Sequence, residues 1–268
     1  MSGLTIGTEA GGGARLRAVL GGVFPFLVVA ALWEALALAH VFPKLLFPDL
    51  RHVAGSVIRL AASGVLLRHT LATMGRLVAG FAIAAALGVA LGLAMGVSRA
   101  VEDYLLPLVS ILAPIPGLAY TPLFLLWFGT GDLAVVLLVG FVSAFPVIYN
   151  TWTGVRSVKE IWLRAARAMG AADHALFLRV VLPGALPYVL TGLRLGLAQA
   201  WRILVAAEML AGVPWGLGWL IFGAREFLDT GAMLTGVLTI GVIGLILEQV
   251  VFRRLEAWTV IRWGMIAS

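Results

Sequence analysis

The chain has 268 residues and a formal net charge of +6, yet only 12% of its residues are charged while 62% are hydrophobic. A soluble domain carries about a quarter charged residues, so this composition, with a mean hydropathy of +1.05, excludes an ordinary soluble fold. It points to an all-α polytopic membrane protein with about six transmembrane helices. Runs such as AGFAIAAALGVALGLAMGV do not alternate as barrel strands would. The absence of cysteine excludes disulfides, thiolate catalysis and cysteine-ligated metals. The Lys and Arg residues are spread along loops, which suits topology-setting charges and argues against nucleic acid as a partner.

In chain order, residues 1–14 (MSGLTIGTEAGGGA) are Gly-rich and predicted to be a disordered tail. One transmembrane domain is expected over 15–256, followed by a cytoplasmic tail over 257–268. Spans need about 20 apolar residues, and six are predicted, over 18–41, 71–97, 104–128, 132–153, 185–212 and 232–252. The first lacks a clear cleavage site, contains Glu34, and is read as a retained span. Between the first two, PDLRHVAGSVIRLAASG places Val53, Val57, Ile58 and Ala61 at helical spacing, an amphipathic helix at an interface. Gly80, Gly88, Gly92 and Gly96 in the second span permit close helix packing. The third holds Pro107, Pro114, Pro116 and Pro122, which no straight helix accommodates. Broken backbone at membrane depth needs cover from protein or a cavity, so 107–122 is expected to be interior, either lining a pore or kinked for packing alone.

With the N-terminus inside, the inner segments hold Arg15, Arg17, Arg99, Arg156, Lys159, Arg164, Arg167, Arg179, Arg253, Arg254 and Arg262, against Lys44, Arg51, Arg59, Arg68, Arg76 and Arg225 outside. The bias, 11 cations to 6, places both termini in the cytoplasm. It also places there the most polar interior stretch, SVKEIWLRAARAMGAADHALFLRVVLPGALP, over 157–187. Ser157 and Glu160 have the spacing of a capping box. A helix to Met169, a turn at Gly170, and a second helix capped by Asp173 and running through Arg179 are predicted, with Leu182-Pro183 and Pro187 stopping it and starting the next span. Ile161, Trp162, Ala165, Ala166, Met169, Leu176, Phe177 and Val180 exceed what one short helix can bury alone, so some are expected to pack against the membrane domain, and the rest either face a partner or belong to a surface elbow with none.

Ala165-Ala166, then Gly170, then Val180-Val181-Leu182-Pro183, resembles the EAA loop of inner-membrane permease subunits of binding-protein-dependent ABC importers. PIPGLAYTPLFLLWFGTGD, FPVIYNTWTGVRSV, LTGLRLGLAQAW and LVAAEML extend the resemblance over roughly residues 30 to 255, toward the nitrate/sulfonate/taurine/bicarbonate branch. That resemblance implies a type I importer permease fold in the bacterial inner membrane. Its 157–183 loop would form coupling helices for an ATP-binding subunit, through Glu160, Arg164, Ala165, Ala166, Gly170, Ala171, Asp173 and Pro183. It implies a second permease copy, two ATP-binding subunits that hydrolyse ATP with Mg, a periplasmic solute-binding protein, surrounding lipid, and no cofactor bound by this chain. The implied solute is a small organic or inorganic anion. The family's usual Glu falls at Arg164 here, and Glu160 lies one turn earlier on the same face.

Ionisable residues inside spans are functional candidates by default. Glu34, Arg194, Arg202, Glu208 and Glu248 qualify. Arg194 and Glu248 are expected to snorkel or pair near the cytoplasmic face. Arg202 lies deep in its span, and two readings stand: a structural pair with Glu208 or Glu34, or a cavity-facing cation that attracts an anionic solute, with Gln199 one turn before it. Tyr120, Tyr149, Asn150, Gln199, Trp201, Arg202 and Glu208 are the candidate translocation-path residues. The chain contains no GxxxxGK[ST], HExxH or GxSxG motif, so no catalysis by this chain is expected. A secondary transporter using intramembrane Arg and Glu for ion coupling is the alternative.

Overall fold

A computed structural model describes residues 12–252, with side chains from Phe24 to Gln249. The expectations for the two tails therefore lie outside the described residues, save that residues 12–14 begin the first helix. Among the described residues every regular element is helical: α1 (Gly12–Leu38), α2 (Leu50–Ala62), α3 (Val65–Val97), α4 (Arg99–Leu112), α5 (Thr121–Phe128), α6 (Asp132–Arg156), α7 (Glu160–Ala168), α8 (Asp173–Leu176), α9 (Leu182–Leu210), α10 (Leu217–Glu226) and α11 (Thr230–Ile246). Short π segments, Phe177–Val181 and Leu247–Phe252, precede α9 and follow α11. Four helical stretches are long and apolar enough to cross a membrane: Val65–Val97, Asp132–Arg156, Asp173–Leu210 and Thr230–Gln249. α4 and the Gly117–Phe128 segment make a fifth span if counted as one, although they meet at 96°. Phe24–Leu38 is the described apolar part of α1.

α6 is the central post, with α3 along one side and α9 along another. Small residues allow the approach. A Cβ on Gly80 would stand 2.7 Å from Val139 Cγ1, one on Gly88 2.6 Å from Val147 Cβ, and one on Gly92 2.6 Å from Thr151 Cβ. From α9, a Cβ on Gly196 would stand 2.8 Å from Cγ2 of the same Val147. Between membrane helices packing replaces the hydrophobic drive, so these glycines are what bring the backbones into contact. Leu77, Leu138, Val139, Val142, Ile203 and Leu204 fill the core between the three helices.

The prolines act where the sequence places them, with two corrections. Pro114 and Pro116 stand in the break between α4 and α5, and Pro122 opens α5. The break is fastened by Tyr120, whose hydroxyl donates to Leu112 O at 2.8 Å. The stretch 107–122 is not interior throughout, however. Val109, Tyr120 and Thr121 are buried, while Pro107, Pro114, Pro116 and Pro122 are exposed on the outside of this chain. Only the face turned toward α3 and α6 is covered. The second correction is at Pro183 and Pro187, neither of which ends a helix, although Pro183 does stand where the next span, α9, begins. The chain runs helically from Asp173 to Leu210, because the wider π turn before Leu182 precedes the proline and Pro183 falls in the first turn of α9.

α2 is the amphipathic helix expected from its spacing. Asp49 caps it by accepting from His52 N at 2.7 Å. Glu34 of α1 accepts from Leu50 N at 2.8 Å. A carboxylate at a helix N-terminus satisfies a free amide and meets the positive end of the dipole. α10 has no counterpart among the expected elements. It follows the turn after α9 and packs against α9 and α11.

Candidate functional site

Three places concentrate polar chemistry: the elbow after α6, one stripe of α9, and a buried network where α3, α6 and α9 meet α10. In the elbow, Ser157 and Glu160 do not form a capping box. Ser157 keeps a helical backbone (φ −77°, ψ −12°) and its hydroxyl donates back to Gly154 O at 2.8 Å. Its oxygen therefore closes α6, and Lys159 is the extended residue before α7. Asp173 does not cap α8 either. Ala172 holds the cap position and Asp173 is the first helical residue, where its charge still meets the helix dipole.

The turn at Gly170 is as expected, with φ +82°. Gly170 N donates to Arg167 O at 2.9 Å and Ala171 N to Ala166 O at 3.0 Å, the two bonds of a Schellman close that favours glycine. Ala166 is buried, while Ala165 and Arg167 are exposed. Arg164 Nη2 donates to Glu160 Oε1 at 2.6 Å across one turn, so the carboxylate and the guanidinium share a face. Trp162 is 52% and Met169 82% exposed, and the Lys159 ammonium lies 5.7 Å from the Trp162 ring centroid. Trp162 and Met169 are thus apolar knobs on a short helix, with charges between them.

On α9, Tyr188, Thr191, Leu195 and Arg202 are exposed and Gln199 is half-buried. Their spacings of 3, 4, 4 and 3 set them on one face. Arg202 Nη2 donates to Gln199 Oε1 at 2.9 Å. The expected structural pair of Arg202 with Glu208 or Glu34 is not formed. Glu34 is occupied at α2, and Glu208 is six residues on, about 120° around the helix from Arg202, on the buried side. Trp201 turns toward α11, with its Nε1 2.9 Å from where a Cβ on Gly244 would be. Asn150 Nδ2 donates to Pro146 O at 2.8 Å and the Tyr149 hydroxyl to Ser110 Oγ at 2.9 Å. Of the seven candidate path residues the structure thus joins Gln199 and Arg202. Tyr120 and Glu208 are buried with their polar groups engaged.

The pairing in the buried network is not read from the sequence, where the cation bias sets Arg76 in an outer segment. Glu208 is 0% exposed. Its carboxylate accepts from Arg76 Nη1 at 2.5 Å, from Thr73 Oγ1 at 3.0 Å, and from Gly218 N at 3.0 Å. Arg76 Nε donates to Asp132 Oδ1 at 2.9 Å. His69 Nδ1 lies 2.7 Å from Gly216 O, and Leu217 N donates to Thr73 Oγ1 at 2.8 Å. His69, Thr73 and Arg76 stand at i, i+4 and i+7 of α3, a signal present in HTLATMGR. At the other end of the bundle, Glu102 pairs with Arg156 and Arg194 with Glu248, the second as expected.

Residues 84–257 match the family described as binding-protein-dependent transport system inner membrane component. The chain is 34% identical over 239 residues to the taurine transport system permease protein TauC of Escherichia coli (strain K12), covering 86% of each protein. It is 34% identical to the putative aliphatic sulfonates transport permease protein SsuC of Bacillus subtilis (strain 168), over 88% of this chain and 84% of that one. An inward-facing structure of the MetNI methionine ABC transporter superposes with a TM-score of 0.63 at 18% identity, covering 73% of this chain and 96% of that chain. Its fold is therefore shared. Nothing in these matches supports a secondary transporter. The chain belongs to the binding-protein-dependent inner-membrane transport components, and is the multi-pass permease of an ABC importer.

Proposed function

We propose that two copies of this chain form the path by which a small sulfonate-like anion crosses the inner membrane, driven by a pair of ATP-binding subunits docked on the elbow. Arg202 carries the reading. It lies about 12 Å from the outer end of α9 by helical rise, exposed on an apolar helix and hydrogen-bonded to the neutral Gln199. A guanidinium at that depth costs several kcal/mol against lipid. A water-filled path beside a second copy removes that cost and leaves the charge for an anion. The stripe of Tyr188, Thr191, Gln199 and Arg202 is the wall of that path. Relatives named for taurine and aliphatic sulfonates support a sulfonate as the solute.

On the inner side, Ile161, Trp162, Ala165 and Met169 meet the ATPase, and Glu160 supplies the carboxylate that Arg164 displaces. Gly170, Ala171, Asp173 and Pro183 join this docking helix to α9, so closure of the ATPases on ATP and Mg is passed to the path wall. This chain holds no nucleotide and performs no covalent step. A periplasmic binding protein delivers the solute, and both termini lie in the cytoplasm, as the cation bias directs.

The test is uptake by the complete complex in proteoliposomes. ATP-driven entry of taurine or another alkyl sulfonate is expected. Arg202→Gln should lower it by about tenfold, one lost charge-assisted contact, with the ATPase still co-purifying. Full uptake by that variant would remove Arg202 from the path.

A further inference from the structure

Transport along the α9 stripe uses none of the buried charges at the α3–α9–α10 junction. An unpaired carboxylate or guanidinium there costs far more than an exposed one, so the network has a task that justifies two carboxylates sharing one guanidinium. Its geometry shows what is gripped. Gly216, Leu217 and Gly218 each have a backbone group held by a side chain of α3 or α9, through His69, Thr73 and Glu208. There is no room for a side chain at either glycine. A Cβ on Gly216 would stand 2.6 Å from Glu208 Cδ, and one on Gly218 would stand 2.8 Å from Glu208 Cβ and strike Val205 O. The turn is seated on the carboxylate itself. α6 joins the same body twice, since Asp132 binds Arg76 and Gly131 N donates to Ala211 O at 3.1 Å.

We propose that Glu208 is a positioning residue that grips the 216–218 turn, anchors the end of α9, and thereby holds Arg202 and Gln199 on the path wall without meeting the solute. Glu208 lies six positions, about 9 Å, beyond Arg202, with no proline or glycine between them. The helix therefore carries the anchor point to the guanidinium as a rigid rod. Thr73 is the second half of the grip, donating to Glu208 while accepting from Leu217 N. The inference rests on the sulfonate path proposed above.

The chain is free of cysteine, so one can be placed as a probe. Val213 is fully buried in the loop that leads from α9 into the gripped turn, and Val213→Cys reports release of that turn by thiol labelling of the assembled complex in proteoliposomes. Thr73→Val keeps the shape and removes both bonds; Thr73→Ser keeps both. Losing a buried hydrogen-bonded pair favours local opening, so Thr73→Val should label about tenfold faster and take up sulfonate about tenfold more slowly, with the ATPase still bound. Thr73→Ser should restore both.

Slower uptake with the thiol at position 213 still protected would overturn the proposal, as would faster labelling with uptake intact, no change in either, or a serine variant no better than the valine. Should Thr73→Val not accumulate, Glu208→Asp is read in the same way. It keeps a charge beside Arg76 but withdraws it from the Gly218 amide. If the Val213→Cys parent assembles with its ATPase yet moves no sulfonate, the sulfonate path fails, and the labelling contrast alone decides the grip.

Discussion

The two ends of the bundle are built on opposite principles. Where α3, α6 and α9 meet α10, the central charges are buried and saturated: Glu208 is fully enclosed and Arg76 is 6% exposed, while their partner Asp132, at 67%, opens to solvent. At the other end, Glu160–Arg164 and Arg194–Glu248 lie in the open, and Glu102–Arg156 is only partly covered. The helices there are also interrupted by π turns at Phe177–Val181 and Leu247–Phe252. π turns are rare and recur at functional sites. A low-dielectric network resists rearrangement, because any opening strands a charge. One end is therefore stiff, and the end carrying the elbow is compliant, which suits a device driven from the elbow.

The largest expected effect breaks the stiff end. Arg76→Gln leaves Glu208 buried without its cation, a loss of about 3–5 kcal/mol. Membrane accumulation of the variant should fall severely, and near-normal yield of a folded, thermally stable protein would refute the contrast. Next come the glycine contacts of α6. Gly88→Val forces a side chain into Val147, an overpacking cost of about 1–3 kcal/mol. It should appear as a lowered melting temperature of the purified permease.

At the compliant end, Gly170→Asp places a side chain at φ +82°, a strain of about 1–2 kcal/mol. The bundle should stay folded while the ATPase no longer co-purifies. Retention of the ATPase with uptake intact would remove the elbow from coupling. The smallest effect is Glu160→Gln, which removes an exposed pair across one helical turn, about half a kcal/mol or less. Thermal stability should be unchanged, so any loss of ATP-driven uptake would show that the carboxylate meets the ATPase rather than serving α7.

Cysteine scanning tests whether the stiff end is the outer one. Single cysteines at positions 132 and 226 should react with an impermeant thiol reagent in intact spheroplasts, and one at 173 should not. Labelling at 173 would invert the arrangement.

Features carried by local pattern were legible from the residues alone. Composition made the chain a helical membrane protein. The four-residue glycine spacing of α3 named its packing face, the prolines located the break between α4 and α5, and Gly170 marked the elbow turn. Each depends on neighbours within one or two turns of chain. Helix ends were less legible, because a cap is a competition. Ser157 could serve the start of α7 or the end of α6, and its backbone decided for α6. Pro183 could stop a helix or sit in a first turn, and the π segment before it decided for the latter.

What tertiary structure alone decided was charge pairing. Arg202 and Glu208 are near in sequence and lie on the same helix, so a pair between them was a natural expectation, but six residues of helix turn them to different faces. The partner of Glu208, Arg76, is 132 positions away, and the third member, Asp132, begins another helix. In a low dielectric a buried carboxylate must be met by whichever cation the packing delivers. Periodicity along a single helix states which faces are polar; which faces meet follows only from how the glycines let α3, α6 and α9 approach.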